Sequence, residues 1–179
     1  MTIAENVKSV KEKIAAAAIS SGRKPEDIVL VAATKMNDAD RVRQAIAAGV
    51  DVCGENRVQE LQEKNAQGAY AGAPLHFIGH LQKNKVKYLV GVVDLIQSAD
   101  SLGLIEAINK KAAELGITQD VLLEINIGQE EAKSGFRPEE ASAAAEKAGE
   151  YSKKRERSLM AVPPICAVPD DNRPYFARV

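Results

Sequence analysis

The chain has 179 residues, a formal charge of −1 and a pI of about 6.2. That length suits one domain around one core, and the balanced charge excludes a general nucleic-acid binder or a polybasic membrane anchor, both of which need a basic surplus. Hydrophobic residues make up 45% but aromatics only 4%, so Ala, Val, Ile and Leu must fill the core, and no apolar run approaches the ~20 residues of a membrane helix.

The opening MTIAENVKSVKEKIAAAAISSG interleaves charges with apolar residues, unlike a signal peptide. Val7, Val10, Ile14 and Ala17 or Ala18 share one face, which predicts a helix stopped by SSGRKP. IVLVAAT (28–34) predicts the first strand, and DADRVRQAIAAG the helix after it, capped by Asp38 and ended by Gly49. DVCGE (51–55) and RVQELQEKNAQ repeat the pair, followed by LHFIG (75–79) and NKVKYLVG. DLIQS (94–98) precedes SLGLIEAINKKAAELG, with Ser101 as cap and Gly116 as stop. VLLEINI (121–127) precedes PEEASAAAEKAGEYSKK, where Gly149 is a stop and KKRER (153–157) reads as a solvated helix end. LMAVP (159–163) is the sixth strand, and PPICAVPDDNRPYFARV reads as a loop turning into a helix.

This βαβα order predicts a parallel sheet with crossover helices. Neither GxGxxG nor GxxxxGK[ST] follows the first strand, which weakens the nucleotide-binding open sheet. Strand starts recur every 20–25 residues through the fifth, a beat that suits a (β/α) barrel. A barrel of ~250 residues spends about 31 per unit, so this chain holds roughly six of the eight units.

In such folds, sites gather beyond the carboxyl ends of the strands. Those ends carry Thr34-Lys35, Glu55-Asn56-Arg57, Gly79-His80, Ser98 and Asn126. Lys35 is the one amine at the strand tips proper. Partial burial there would lower its pKa and free the neutral amine for an aldehyde; the alternative is an idle surface lysine before a helix. HFIGH spaces His76 and His80 four apart, but Pro74 and Gly79 disfavour a helix, and a strand would hold the two about 13 Å apart, too far to share a metal. LQKNKVKY reads as a solvated helix face rather than a nucleic-acid patch. Asn56 and Arg57 would bind an anion at a helix start or merely cap it. Lys133, Ser134 and Gly135 in EEAKSGF would line the mouth or form a surface turn. None of Tyr70, Tyr88, Tyr151 and Tyr175 falls at an expected strand mouth. Two lone cysteines, Cys53 and Cys166, fit a reducing cytoplasm.

Together, VAATKMNDADRVRQAIAAGVDVCGENRVQELQEK, LHFIGHLQKNKVKYLV, INIGQEEAKSGF and LMAVPP resemble the YggS/PROSC family of pyridoxal 5′-phosphate (PLP) homeostasis proteins, which is similar to the N-terminal barrel of alanine racemase. The resemblance implies a single PLP-binding TIM-like barrel over 1–179, an α/β fold, with PLP held as a Schiff base on Lys35. It implies that Asn56, His80, Gln82, Lys133 and Ser134 line the same opening. It also implies a monomeric, cytoplasmic, non-catalytic PLP carrier that serves PLP-dependent apo-enzymes and has no metal, nucleic-acid or membrane partner. Family members continue into two further units that carry most of the phosphate cradle, so the chain is expected to be a truncated member. The alternatives are an amino-acid racemase-like PLP enzyme and a shortened chain that has lost PLP.

Overall fold

A computed structural model describes residues 1–131 and 133–178. Ala132 of the predicted EEAKSGF loop and the terminal Val179 lie outside them. The chain folds as two compact units, Met1–His76 and Phe77–Val179.

In the first unit, helix α1 (Ile3–Ser20) starts on a reciprocal cap. Thr2 accepts from the Glu5 amide at 3.2 Å, and the Thr2 amide donates to the Glu5 carboxylate at 2.7 Å. Strand β1 (Val31–Ala33) pairs in parallel with β2 (Val52–Glu55), Val31 opposite Val52 and Ala33 opposite Gly54. Between them α2 (Ala39–Ala47) begins on Asp38, whose carboxylate accepts from the Arg41 amide at 2.8 Å. Asp51 ties the bases together: it accepts from Leu30 N at 2.8 Å and from Lys11 Nζ at 2.7 Å. Helix α3 (Val58–Ala66) follows β2, and Cys53 N–H donates to the Pro74 carbonyl just before β3 (Leu75–Phe77). The core of this unit is built from non-aromatic side chains, among them Val42, Val52, Cys53 and Leu61, with Tyr70 its one buried aromatic.

In the second unit, β4 (Leu95–Ala99), β5 (Gln119–Ile125) and β6 (Lys154–Ala161) pair in parallel in chain order. Helix α4 (Leu102–Leu115) buries Leu104, Ile105, Ile108 and Ala112 and stops at Gly116 in the left-handed conformation. Along β5, Val121, Leu123 and Ile125 are buried while Asp120, Leu122 and Glu124 face the more open side. Helix α5 (Ala141–Gly149) ends on the expected glycine, and a short α6 (Arg173–Phe176) follows the Pro-rich segment. No helix among the described residues is long and apolar enough to cross a membrane.

Two expectations need correction. The segment NKVKYLVG is a 3₁₀ turn at Lys83–Tyr88 rather than an α-helix. The charge run KKRER is not a helix end: from Lys154 it is already strand β6, which starts well before the predicted LMAVP. The cause is cross-strand pairing. Arg155 grips Asp120 of β5 through two bonds of 2.7 and 2.9 Å, and Lys154 is buried against Glu156. The charge of Arg155 is met by the neighbouring strand and that of Lys154 by Glu156 of β6 itself.

Candidate functional site

In the first unit the polar residues beyond β1 and β2 meet around one buried carboxylate. Glu55 closes β2 with its side chain at 0% exposure. Its Oε1 accepts from the Thr34 hydroxyl at 2.7 Å, from Lys64 Nζ at 2.7 Å and from the Tyr70 hydroxyl at 3.1 Å. Its Oε2 is buried with no partner among the described residues. Lys64, on α3, has a side chain only 6% exposed. Its Nζ also donates to the Thr34 carbonyl and to Glu60 Oε1, each at 2.7 Å, so all three N–H groups of the ammonium are used. The Met36 amide completes the cluster by donating to Glu60 Oε1.

The electrostatics follow from this packing. Burial alone would push the Lys64 ammonium down, but its bonds to Glu55 and Glu60 outweigh that and hold it above the usual lysine value. Burial would likewise raise Glu60, yet Lys64 and the Met36 amide keep it below the usual carboxylate range. Burial raises the Tyr70 phenol well above its ordinary value, and Glu55 adds to the effect. The Cys53 thiol is pushed up to about 11, first by burial and then by Glu55. Tyr70 and Cys53 are therefore protonated near neutral pH.

Lys35 stands between the Thr34 and Met36 contacts, two residues beyond the end of β1. The expectation of partial burial fails here: Lys35 is exposed. The buried amine beside Thr34 and Glu55 is that of Lys64 instead. Among the described residues, the Lys35 ammonium makes no ion pair or hydrogen bond. Asn56, the next residue after Glu55, is half-buried, and its Oδ1 is fully covered without a partner among the described residues. Arg57 occupies the N-cap position of α3 but gives the helix no side-chain bond. Its capping reading therefore fails.

In the second unit, three predicted residues come together. His80, Gln82 and Ser134 line one pocket of about 390 Å³ with Lys83, Asp100 and Ser101. His80 Nδ1 lies 3.0 Å from Asp100 Oδ2, with the imidazole 61% exposed. Glu124 is held above the ordinary carboxylate value, first by burial and then by Asp100, with His80 opposing. Ser98 Oγ, at the end of β4, is buried without a partner among the described residues. Lys133 does not line that pocket. Its ammonium pairs with Glu130 at 2.6 Å in a separate cleft with Asn126, Gln129 and Arg137. Asn126 fixes this loop by donating to the Glu130 and Lys133 carbonyls and accepting from the Glu130 amide. Gly135 allows the loop to press on β5: a Cβ there would stand 2.9 Å from Asn126 N and from the Glu124 carbonyl.

The cluster of Glu55, Glu60, Lys64 and Tyr70 went unread in the sequence, apart from Glu55 as a strand-end residue. Glu60 and Lys64 are spaced four apart on a helix, which in sequence is the mark of a solvated surface pair. Tyr70 lies on the loop after α3, yet its hydroxyl reaches the end of β2.

The model for the alanine racemase N-terminal domain matches residues 2–178. A pyridoxal phosphate homeostasis protein of Aquifex aeolicus is 39% identical over 179 residues, all of this chain and 78% of that protein. A crystal structure described as an unknown protein from Bifidobacterium adolescentis superposes with a TM-score of 0.91 at 37% identity, over 98% of this chain and 75% of that one. The structure of PipY of Synechococcus elongatus with PLP bound gives a TM-score of 0.81 at 29% identity, over 99% of this chain and 78% of that one.

Proposed function

The chain belongs to the alanine racemase N-terminal domain family, among the pyridoxal phosphate homeostasis proteins, and from that premise we propose that it binds PLP through Lys35 and serves as a carrier of the cofactor. When bound, the cofactor supplies an aldehyde carbon that a primary amine can hold covalently. The observation that carries the reading is the contrast between two lysines. Lys64 has every donor engaged by Thr34, Glu55 and Glu60, whereas Lys35 is exposed and unengaged among the described residues. The residues present fit the group. An accessible amine stands just past a braced strand end, and the covered Asn56 Oδ1 lacks, among the described residues, a donor that a ligand hydroxyl or N–H could supply.

His80, Gln82 and Ser134 are assigned to the same function because they share one pocket in their own unit. Lys133 is assigned a lesser part, since Glu130 already neutralises its ammonium. Proton transfer to substrate carbon needs a group free to exchange its proton near neutral pH. Tyr70, whose hydroxyl reaches the strand ends of the first unit, is buried, bonded to Glu55 and raised above its normal range, which supports carriage rather than racemisation. Transfer to PLP-dependent apo-enzymes as a monomer in the cytoplasm completes the proposal. The free thiols Cys53 and Cys166 suit that compartment.

The test is borohydride reduction of the protein incubated with PLP, followed by peptide mass spectrometry. The pyridoxyl mass is expected on Lys35 and is expected to vanish in Lys35→Ala, with no D-alanine formed from L-alanine. A wild-type label on Lys64 or Lys133 instead would refute the assignment.

A further inference from the structure

The two peptide groups that flank Lys35 are gripped by one ion pair. The carbonyl leading into Lys35, that of Thr34, accepts from Lys64 Nζ at 2.7 Å. The N–H leaving Lys35, that of Met36, donates to Glu60 Oε1. Lys64 and Glu60 are themselves 2.7 Å apart, one turn from each other on α3. Glu55 adds a third hold by pinning the Thr34 hydroxyl while it also binds Lys64.

Met36 shows what the grip does. Its φ is +59°, in the left-handed region that a residue with a Cβ rarely adopts. The residue is 83% exposed, so side-chain packing does not impose that conformation. Its amide donates to Glu60, while the Asn37 amide closes the turn onto the Thr34 carbonyl at 3.3 Å and the Asn37 side chain holds the Lys35 carbonyl at 2.9 Å; of these, the Glu60 bond is the one that ties the turn to α3. A lysine–glutamate pair placed only to support a helix would face solvent; this one is turned inward, with the Lys64 side chain 6% exposed.

We propose that Lys64, Glu55 and Glu60 are positioning residues for the Lys35 amine, holding the Thr34–Met36 turn so that Lys35 alone is presented to an aldehyde ligand. The inference rests on the reading of Lys35 as the cofactor amine. A lysine stem has four rotatable carbons, so fixing both flanking peptide groups removes backbone freedom from the search its amine must make. Because the network consumes every donor of Lys64, it also withholds the competing amine.

The experiment compares the wild-type chain with Glu60→Ala and Glu60→Gln. In the cofactor-free proteins, NMR exchange of the Met36 amide is expected to quicken at least tenfold in Glu60→Ala. It is expected to stay near wild type in Glu60→Gln, whose amide oxygen still accepts. With PLP, Glu60→Ala is expected to load at least fivefold more weakly at a temperature well below its melting point, with rescue by Glu60→Gln and the label still on Lys35. Should Glu60→Ala not fold, Glu60→Asp gives the same readings, because the shorter side chain draws the carboxylate away from Met36. Unchanged exchange at Met36 overturns the proposal. So does wild-type loading in a variant that merely melts lower, since that marks a buttress only. A wild-type protein that takes no label on Lys35 sinks the functional reading, while the exchange measurement still decides the clamp.

Discussion

Replacing Lys64 by methionine tests the buried network most directly. The change keeps the aliphatic stem and removes the ammonium. Glu55, at 0% exposure, then loses its cationic partner, and the Thr34 carbonyl loses a donor. Breaking one side of a buried pair costs about 3–5 kcal/mol, because the remaining charge stays desolvated. Glu60 adds little, since its side chain is 20% exposed and regains water. We expect a loss of about 4 kcal/mol, which in a chain of this size lowers Tm by roughly 8–16 °C. The chain has no tryptophan, so urea and thermal unfolding are followed by far-UV circular dichroism. Adding Glu55→Gln to Lys64→Met removes the stranded charge and is expected to recover about half the loss. The pH dependence has a defined sign. Lys64 is raised above its usual 10.5, so its contribution is full below pH 10.5 and fades as pH climbs through the higher folded value. Glu60 is depressed below 4.5, so its contribution is full above pH 4.5 and fades as pH falls through the lower folded value. The gap between wild type and variant should therefore be widest from pH 4.5 to 10.5. A cost under about 1 kcal/mol for Lys64→Met, or strict additivity with Glu55→Gln, would show that the network does not hold the unit together.

Three smaller perturbations follow from the same structure. Glu124 is raised above 4.5 in the folded chain, so its ionisation works against folding as pH rises past that value; Glu124→Gln is expected to be more stable than wild type at pH 7 and equal to it near pH 4 in parallel urea titrations. Gly135 adopts φ +112° with backbone atoms 2.9 Å from where a Cβ would sit. Gly135→Ala should therefore cost at least about 2 kcal/mol through strain and displacement of the loop from β5, read as a drop in urea midpoint. Asp38→Ala removes the acceptor for the Arg41 amide at the start of α2 and should cost about 1 kcal/mol; an unchanged midpoint would mean that the cap is replaced by water.

Much of the architecture could be read from local pattern. A strand lies at or overlapping each of the six predicted positions, because alternating or continuous apolar runs between glycine stops reflect backbone periodicity that neighbours rarely override. Asp38 caps its helix as expected, and Gly116 takes the left-handed stop. Ser101 occupies the cap position without bonding through its side chain. KKRER was illegible for a long-range reason: its fate as a strand depends on Asp120, which is 35 residues from Arg155 in the chain.

At the site, the sequence determined that a lysine stands just past the first strand, because the apolar run of that strand ends on Thr34 with Lys35 next. Only the tertiary structure decided how that lysine is held. Glu55, Glu60, Lys64 and Tyr70 come from a strand end, one helix and the loop beyond it, and each alone looks like a residue for solvent. Folding brings them to one carboxylate and removes the water, and in that dry setting a pair worth little on a surface becomes the brace beneath an exposed amine.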